Sequence, residues 1–357
     1  MRFLFKTNYE QDVRLFQHGG QVFWYAVLAV LVLVAPLVLS DYLVGEAAFV
    51  FILAIAGVGL MLLTGYTGLV SLGHAAFLGI GAYGEAYLLS KGVPFPISML
   101  LAALIAGATG FLIGLPTLRL SGVYLAIATF GFALIVSEIL AKWESVTRGF
   151  NGFRVPRIVM FGETLRQDWH LYYISLAVLV VVILGVLNLL RSPTGRAFIA
   201  IRDSEVAAQS LGVNLTVYKT LAFALSAAIT GLAGALYAHK LNFLSPDGFN
   251  IILSIQLLLM IVVGGLGSLH GAVFGALFVG ALPSVIGILR GELPRVIAEQ
   301  PGLEPLIFGL ILVLTIIFEP YGIYGRWLKL KLYFQLFPLY RRATFRRTKA
   351  FLKSGRR

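Results

Sequence analysis

Long apolar runs alternate with short polar breaks along most of this chain. The runs fall at Val22–Leu39, Ala47–Gly65, Tyr66–Ser90, Ile97–Leu118, Val123–Ala141, Leu171–Leu190, Thr220–His239, Ile251–Gly264, Ala272–Leu289 and Pro305–Phe318. A helix of about twenty residues, rising about 1.5 Å each, crosses roughly 30 Å of hydrocarbon, and the runs lie near that length. The pattern predicts an all-α polytopic membrane protein with about ten transmembrane helices over residues 22–320. A leader, 1–21, precedes them and a basic tail, 321–357, follows. The first run is too long for a signal-peptide core and no small-x-small cleavage site ends it, so it predicts a retained span.

Two polar interruptions are long. Lys142–His170 carries Trp143 and Trp169 near its ends, where amphipathic rings anchor at a membrane interface. Arg191–Lys219, RSPTGRAFIAIRDSEVAAQSLGVNLTVYK, follows the sixth run, which Pro193 and Gly195 terminate. Within it Ala197, Ile199, Ala200 and Ile201 give way to Arg202, Asp203 and Glu205, then Val206, Ala207, Ala208 and Leu211. Gly212 stands where a helix C-cap would fall. This spacing predicts one or two short helices at the membrane surface, a handle for a soluble partner. An ordinary solvated loop fits the same residues.

Composition fits the pattern. The chain is 59% hydrophobic and 12% charged, against about 25% charged in globular proteins. It has no cysteine, which excludes disulfides, thiolate catalysis and cysteine-ligated metals. The net charge of +12 would suit nucleic acid, but 11 Lys or Arg and no acidic residue lie between Arg326 and the end. A tail of that kind sets topology and can meet anionic headgroups, and it is equally compatible with simple solvation. No nucleic-acid partner is inferred. With ten crossings and a cytoplasmic amino terminus, 19 basic residues face the cytoplasm and 9 the outside, so both termini and the 191–219 stretch are expected inside.

The third run is dense in glycine: Gly65, Gly68, Gly73, Gly79, Gly81 and Gly84, with Ser71 and His74 among them. Glycines let helices pack closely in lipid, and they also permit a broken helix lining a solute path. A fainter echo lies 197 positions on, in GGLGSLHGAVFGALFVGA, where Ser268-Leu269, Ala272 and Phe274 match Ser71-Leu72, Ala75 and Phe77. Internal duplication and chance likeness between two Gly/Ala-rich spans both account for it. In the fifth run Gly122, Ala126, Thr129, Ala133 and Ser137 share one face, for packing or for a narrow polar path. Candidate path residues are Gly65, Gly68, Ser71, His74, Thr129, Ser137, Gly264, Gly265 and Ser268. Charges within spans are costly. Glu138 is four residues from Lys142, a helical ion-pair spacing, and Glu85 is placed to snorkel toward the surface near Lys91.

Enzyme signatures fail. There is no G-x-x-x-x-G-K-[ST] loop and no H-E-x-x-H, and the histidines stand apart at 18, 74, 170, 239 and 270. No cofactor or metal is expected, and ATP-driven work would require a motor on another polypeptide.

Several segments resemble one family. Val206-Ala207-Ala208 with Gly212 is similar to the EAA---G loop of bacterial ABC-importer permeases, although Glu205 sits one position early and no I-x-L-P follows. GYTGLVSLGHAAFLGIGAY, the Pro116-Thr117-Leu118-Arg119 turn with Gly122–Ile127, and TRGFNG at 147–152 resemble the LivM-like permeases of branched-chain amino-acid ABC importers. The likeness runs from about Val50 to Tyr321. It implies a permease subunit in a bacterial inner membrane, working by alternating access on branched-chain amino acids or on urea, amides or small organic acids. The implied partners are a homologous second permease subunit, two cytoplasmic P-loop ATPase subunits and a periplasmic solute-binding protein, besides membrane lipid. Arg202, Asp203, Glu205, Ala207, Ala208, Leu211 and Gly212 would form the ATPase-coupling element. Arg148, Arg154 and Arg157 could receive an acidic surface of the binding protein. The competing expectation is a stand-alone secondary transporter or channel, for which no chain of intramembrane ionisable groups is evident.

Overall fold

A computed structural model describes residues 19–117, 120, 122–160, 163–164, 167–292, 302–319 and 321–336. The leader up to residue 18, Leu118, Arg119, Arg166, Arg295 and the tail beyond residue 336 lie outside the described residues. In chain order the helices are α1 (Gly19–Val38), α2 (Asp41–Leu60), α3 (His74–Ser90), α4 (Phe95–Thr117), α5 (Val123–Lys142), the single turn α6 (Glu144–Thr147) and α7 (Asp168–Arg191). They continue with α8 (Pro193–Asp203), α9 (Glu205–Ser210), α10 (Leu215–Leu241), α11 (Ile251–Gly264), α12 (Leu269–Glu292), α13 (Leu303–Phe318) and α14 (Gly322–Leu336).

Every predicted run is helical for most of its length, and the all-α polytopic architecture holds. The count of ten full spans is not confirmed. Among the described residues six helices are long and apolar enough to cross alone, and a seventh span arises if α13 and α14, bent by 42°, are taken together. The reason is local. α2 runs on through a π-helical turn, Met61–Tyr66, and the chain then leaves the helix, so α3 begins only at His74. The run expected over Tyr66–Ser90 therefore spends its first residues in a break. α11 is limited to 14 residues by a second break before α12.

α10 is the axis of the bundle, packing most extensively on α4, α3 and α2. Small residues permit this. A Cβ on Gly81 of α3 would lie 2.1 Å from the carbonyl oxygen of Gly231 on α10, so only glycine allows that crossing. The hydrophobic window of the 41–66 span is 72% buried inside the protein and that of α7 only 22%, which separates the central helices from the lipid-facing ones. Large apolar side chains such as Leu37, Leu104, Ile135, Val181 and Ile317 are exposed around the outside, a band that lipid rather than water must solvate. α1 is fastened by a defect. Pro36 lacks an N–H and so leaves the Val32 carbonyl without its helical donor, and the Tyr172 hydroxyl donates to that oxygen at 2.7 Å.

The connections gather at two ends. At one, an antiparallel ribbon joins β1 (Phe153–Arg154) to β4 (Phe243–Leu244), pairing Phe153 with Leu244 and Arg154 with Phe243. β2 (Val159–Met160) and β3 (Glu163–Thr164) form a separate small hairpin. Lys240 Nζ donates to the Gly45 carbonyl nearby. At the other end, Arg202 of α8 approaches both helix breaks, and α9 follows it in the chain.

Candidate functional site

The 191–219 stretch folds into two short helices that share one residue as cap. Ser192 caps α8, its Oγ accepting from the Gly195 N–H at 3.4 Å, and Pro193 at the first position needs no N–H partner. α8 buries Ala197, Phe198 and Ile201. Ser204 ends α8 and starts α9, its Oγ accepting from the Ala207 N–H at 3.2 Å. Gly212, with φ +85°, ends α9: its N–H donates to Gln209 O and that of Val213 to Ala208 O, both at 3.0 Å. That pair of bonds is the Schellman arrangement, which places glycine in the left-handed region.

α9 has two unlike sides. Ala208 is buried, and Glu205 Oε2 lies 2.7 Å from the ammonium of Lys219, a side chain only 3% exposed on α10. A desolvated lysine with a single carboxylate partner ties α9 to the central helix. On the other side Val206 and Leu211 are 76% and 83% exposed beside the exposed Ala207. Arg202, at the end of α8, points inward. Its Nε and Nη2 donate to Asp203 Oδ1 at 3.1 and 3.0 Å, and its Nη1 donates to the Gly65 carbonyl at 3.3 Å.

Gly65 precedes the first break, Thr67–Gly73, which is densely bonded. Thr64 and Thr67 hydroxyls donate to Leu69 O and Leu62 O. The Leu72 N–H donates to Thr129 Oγ1 at 3.0 Å, and the Ala75 N–H to Ser254 Oγ at 3.1 Å. His74 spans the centre, its Nδ1 2.9 Å from Ser71 Oγ and its Nε2 2.8 Å from Ser226 Oγ. Ser226 gives its own proton to Gly59 O at 2.6 Å, so Nε2–H donates and Nδ1 accepts, and a neutral imidazole satisfies every partner. Ser71, His74, Ser226 and Ser254 have no exposed surface.

The second break, Gly265–Ser268, repeats the first at the expected offset. Gly68 (φ +77°) and Gly265 (φ +116°) are 197 positions apart, as are Ser71 and Ser268. Ser268 Oγ accepts from the Gly271 N–H at 2.8 Å, as Ser71 Oγ accepts from Gly73 N–H at 3.3 Å. The breaks touch: the Gly267 N–H donates to Met61 Sδ at 3.2 Å, and a Cβ on Gly65 would sit 2.8 Å from Gly267 N.

Of the expected path residues, the structure brings Ser71, His74 and Thr129 together, and places Gly65 and Gly68 against Arg202 beside Gly264, Gly265 and Ser268. Ser137 lies two turns, about 12 Å, further along α5, away from both groups. The small-residue stripe of α5 packs on the first break, where a Cβ on Gly73 would fall 2.4 Å from Thr129 O. Glu138 does pair with Lys142, at 2.9 Å. Glu85 does not snorkel. It is fully buried, accepting from Ser98 Oγ at 2.8 Å with His239 Nε2 3.4 Å away, because it faces α4 and α10, while Lys91 lies over the Tyr87 ring. Sequence reading missed Lys219, Ser226 and Ser254. For the two serines the available signal was an isolated polar group inside an apolar run, which in lipid must find a partner.

The family described as "Branched-chain amino acid transport system / permease component" matches residues 42–316. The chain is 36% identical over 321 residues to the high-affinity branched-chain amino acid transport system permease protein LivM of Salmonella typhimurium, covering 83% of this chain and 73% of that protein. It is 35% identical over 328 residues to LivM of Escherichia coli, covering 85% and 75%. It is 28% identical over 279 residues to the autoinducer 2 import system permease protein LsrC of an Enterobacter species, covering 74% and 77%. A match over most of the chain, on a polytopic helical body, places this protein in the branched-chain amino acid transport permease family.

Proposed function

We propose that the chain is the membrane-embedded permease subunit of an ATP-driven importer and carries branched-chain amino acids inward by alternating access. The observation that carries this reading is α9, a polar-flanked helix that exposes Val206, Ala207 and Leu211 while Glu205 and Lys219 bind its back to the central helix. An exposed apolar face on a rigidly tethered surface helix suits a groove on a soluble motor subunit. Hydrolysis belongs to that motor, two P-loop ATPase subunits, since the chain lacks the phosphate-binding loop. A second, homologous permease completes the membrane pair, and a periplasmic binding protein delivers solute to the end bearing the β1–β4 ribbon. Both termini and α8–α9 face the cytoplasm in this arrangement. The solute class follows the names of the LivM relatives.

The deciding experiment is leucine uptake by the complete assembly in proteoliposomes, with ATP and with a non-hydrolysable analogue. Uptake only with ATP, and competed by isoleucine and valine rather than urea, is expected. Uptake by this chain alone down an ion gradient would instead establish a stand-alone carrier. Orientation is tested on the cysteine-free background with Leu211→Cys, which a membrane-impermeant thiol reagent should label only from the cytoplasmic side.

A further inference from the structure

The geometry points to Arg202 as the positioning residue that carries movement of the coupling stretch into both chain breaks at once. The inference rests on the importer reading above and adds a transmission route to it. Arg202 immediately precedes Asp203 and Ser204, and Ser204 caps both α8 and α9, so displacement of α9 is passed to Arg202 through two residues. Asp203 Oδ1 holds Nε and Nη2 side-on, which fixes the plane of the guanidinium and leaves Nη1 aimed at the bundle.

Nη1 meets the Gly65 carbonyl, one of the last acceptors of the 41–66 span, whose helical donor is lost because the chain departs at Thr67. A fixed cation is well placed at such a C-terminus. The first break also packs on the arginine's backbone and stem, since a Cβ on Gly68 would lie 3.3 Å from Arg202 Cα and Cγ. The second break lies against the same group: a Cβ on Gly267 would be 3.4 Å from Nη1. One side chain therefore bonds beside the first member of the repeated pair and faces the second, and the contact between Gly267 N–H and Met61 Sδ closes the triangle. Lysine cannot substitute, because a single ammonium lacks the planar fork that serves Asp203 and Gly65 together.

The test uses the complete importer, carrying Arg202→Gln or Arg202→Lys in this chain, with two readouts. The first is leucine taken up per ATP hydrolysed. The second is the separation of spin labels at Val70→Cys and Leu266→Cys, one on each break, with and without trapped nucleotide. With Arg202 present the label separation shifts on nucleotide trapping. Both variants are expected to lower uptake per ATP about ten-fold, the scale of one charge-assisted hydrogen bond, and to abolish the shift. Uptake per ATP and a label shift equal to those of the unmodified importer would overturn the proposal. So would failure of both variants to assemble with the ATPase subunits, which would make Arg202 a docking residue. If the unmodified assembly shows no ATP-dependent uptake, the importer reading fails first, and the transmission route falls with it.

Discussion

The two helix breaks share a plan and differ in what fixes them. Each has a positive-φ glycine three residues before a serine whose hydroxyl accepts a nearby backbone N–H, yet the first is bound to the body on several sides and the second on few. Thr129 of α5, Ser226 of α10 and Ser254 of α11 all bond residues at or beside the first break, and its polar groups are enclosed. The second is four residues long, leaves Leu266 half exposed, and is held chiefly through backbone. A Cβ on Gly265 would lie 2.6 Å from Tyr321 O at the α13–α14 bend. Side-chain networks inside a bundle resist displacement, whereas a glycine hinge propped by a neighbouring loop moves when the loop moves. The first break is thus held by side chains of three helices and the second by fewer.

The largest expected difference tests the backbone half of that contrast. Gly265→Ala combines a conformation closed to L residues with a collision against a carbonyl, and should destabilise by about 3–5 kcal/mol. Gly68→Ala adds a methyl 3.3 Å from Arg202 Cα and Cγ, a tight approach short of the collision at Gly265, and should cost only about 1–2 kcal/mol, mostly conformational strain. Thermal midpoints of the purified protein in detergent, followed by size-exclusion chromatography, would rank them. The reverse order would remove the distinction between the two breaks.

Hydroxyl and imidazole deletions test the other half. His74→Ala removes bonds to Ser71 and Ser226 and leaves a small void at a site with no access to water, for about 2–3 kcal/mol. Ser268→Ala deletes one cap bond, to the Gly271 N–H, and should cost about 1 kcal/mol. Equal shifts in the same thermal assay would mean that the first break is no more firmly held than the second.

Sequence pattern located these features unevenly, for physical reasons. Alternation of apolar and polar residues is a property of single helices, so the runs, the Glu138–Lys142 pair and the stop at Gly212 were legible. So was the 197-residue offset, because the positive-φ glycine and the serine that accepts a nearby backbone N–H are local requirements. The exit from the helix at Thr67 was not, since in a glycine-dense run any of six positions could end it. Lys219 reads as one more cytoplasmic charge until α10 is seen to start at Leu215 and carry it against Glu205. Glu85 reads as a snorkelling surface group until α4 and α10 supply Ser98 and His239. The free carbonyl at Val32 depends on Pro36, but nothing local says that Tyr172, 140 residues on, will answer it. Apart from the exit at Thr67, what escaped was the identity of a partner from a distant helix.

Gly212 separates backbone strain from steric crowding, because it has a positive φ and no atom within 4 Å of an added Cβ. Its replacement should therefore cost least of the three glycines, about 1 kcal/mol for alanine, all of it from the left-handed conformation. Valine, whose branched side chain tolerates that region poorly, is the sharper probe. Relieving the strain means unwinding the end of α9, which gives up the bonds from Gly212 and Val213 and tilts Leu211 away from its place on the exposed face. The body of the bundle, where Gly212 makes no contact, has no reason to respond. Gly212→Val should thus leave the thermal midpoint within a few degrees of the unmodified chain while ATP hydrolysis continues with little solute uptake. A midpoint lowered as far as by Gly265→Ala would show that α9 is part of the folded core. Full coupling would show that the shape of its C-terminus is mechanically irrelevant.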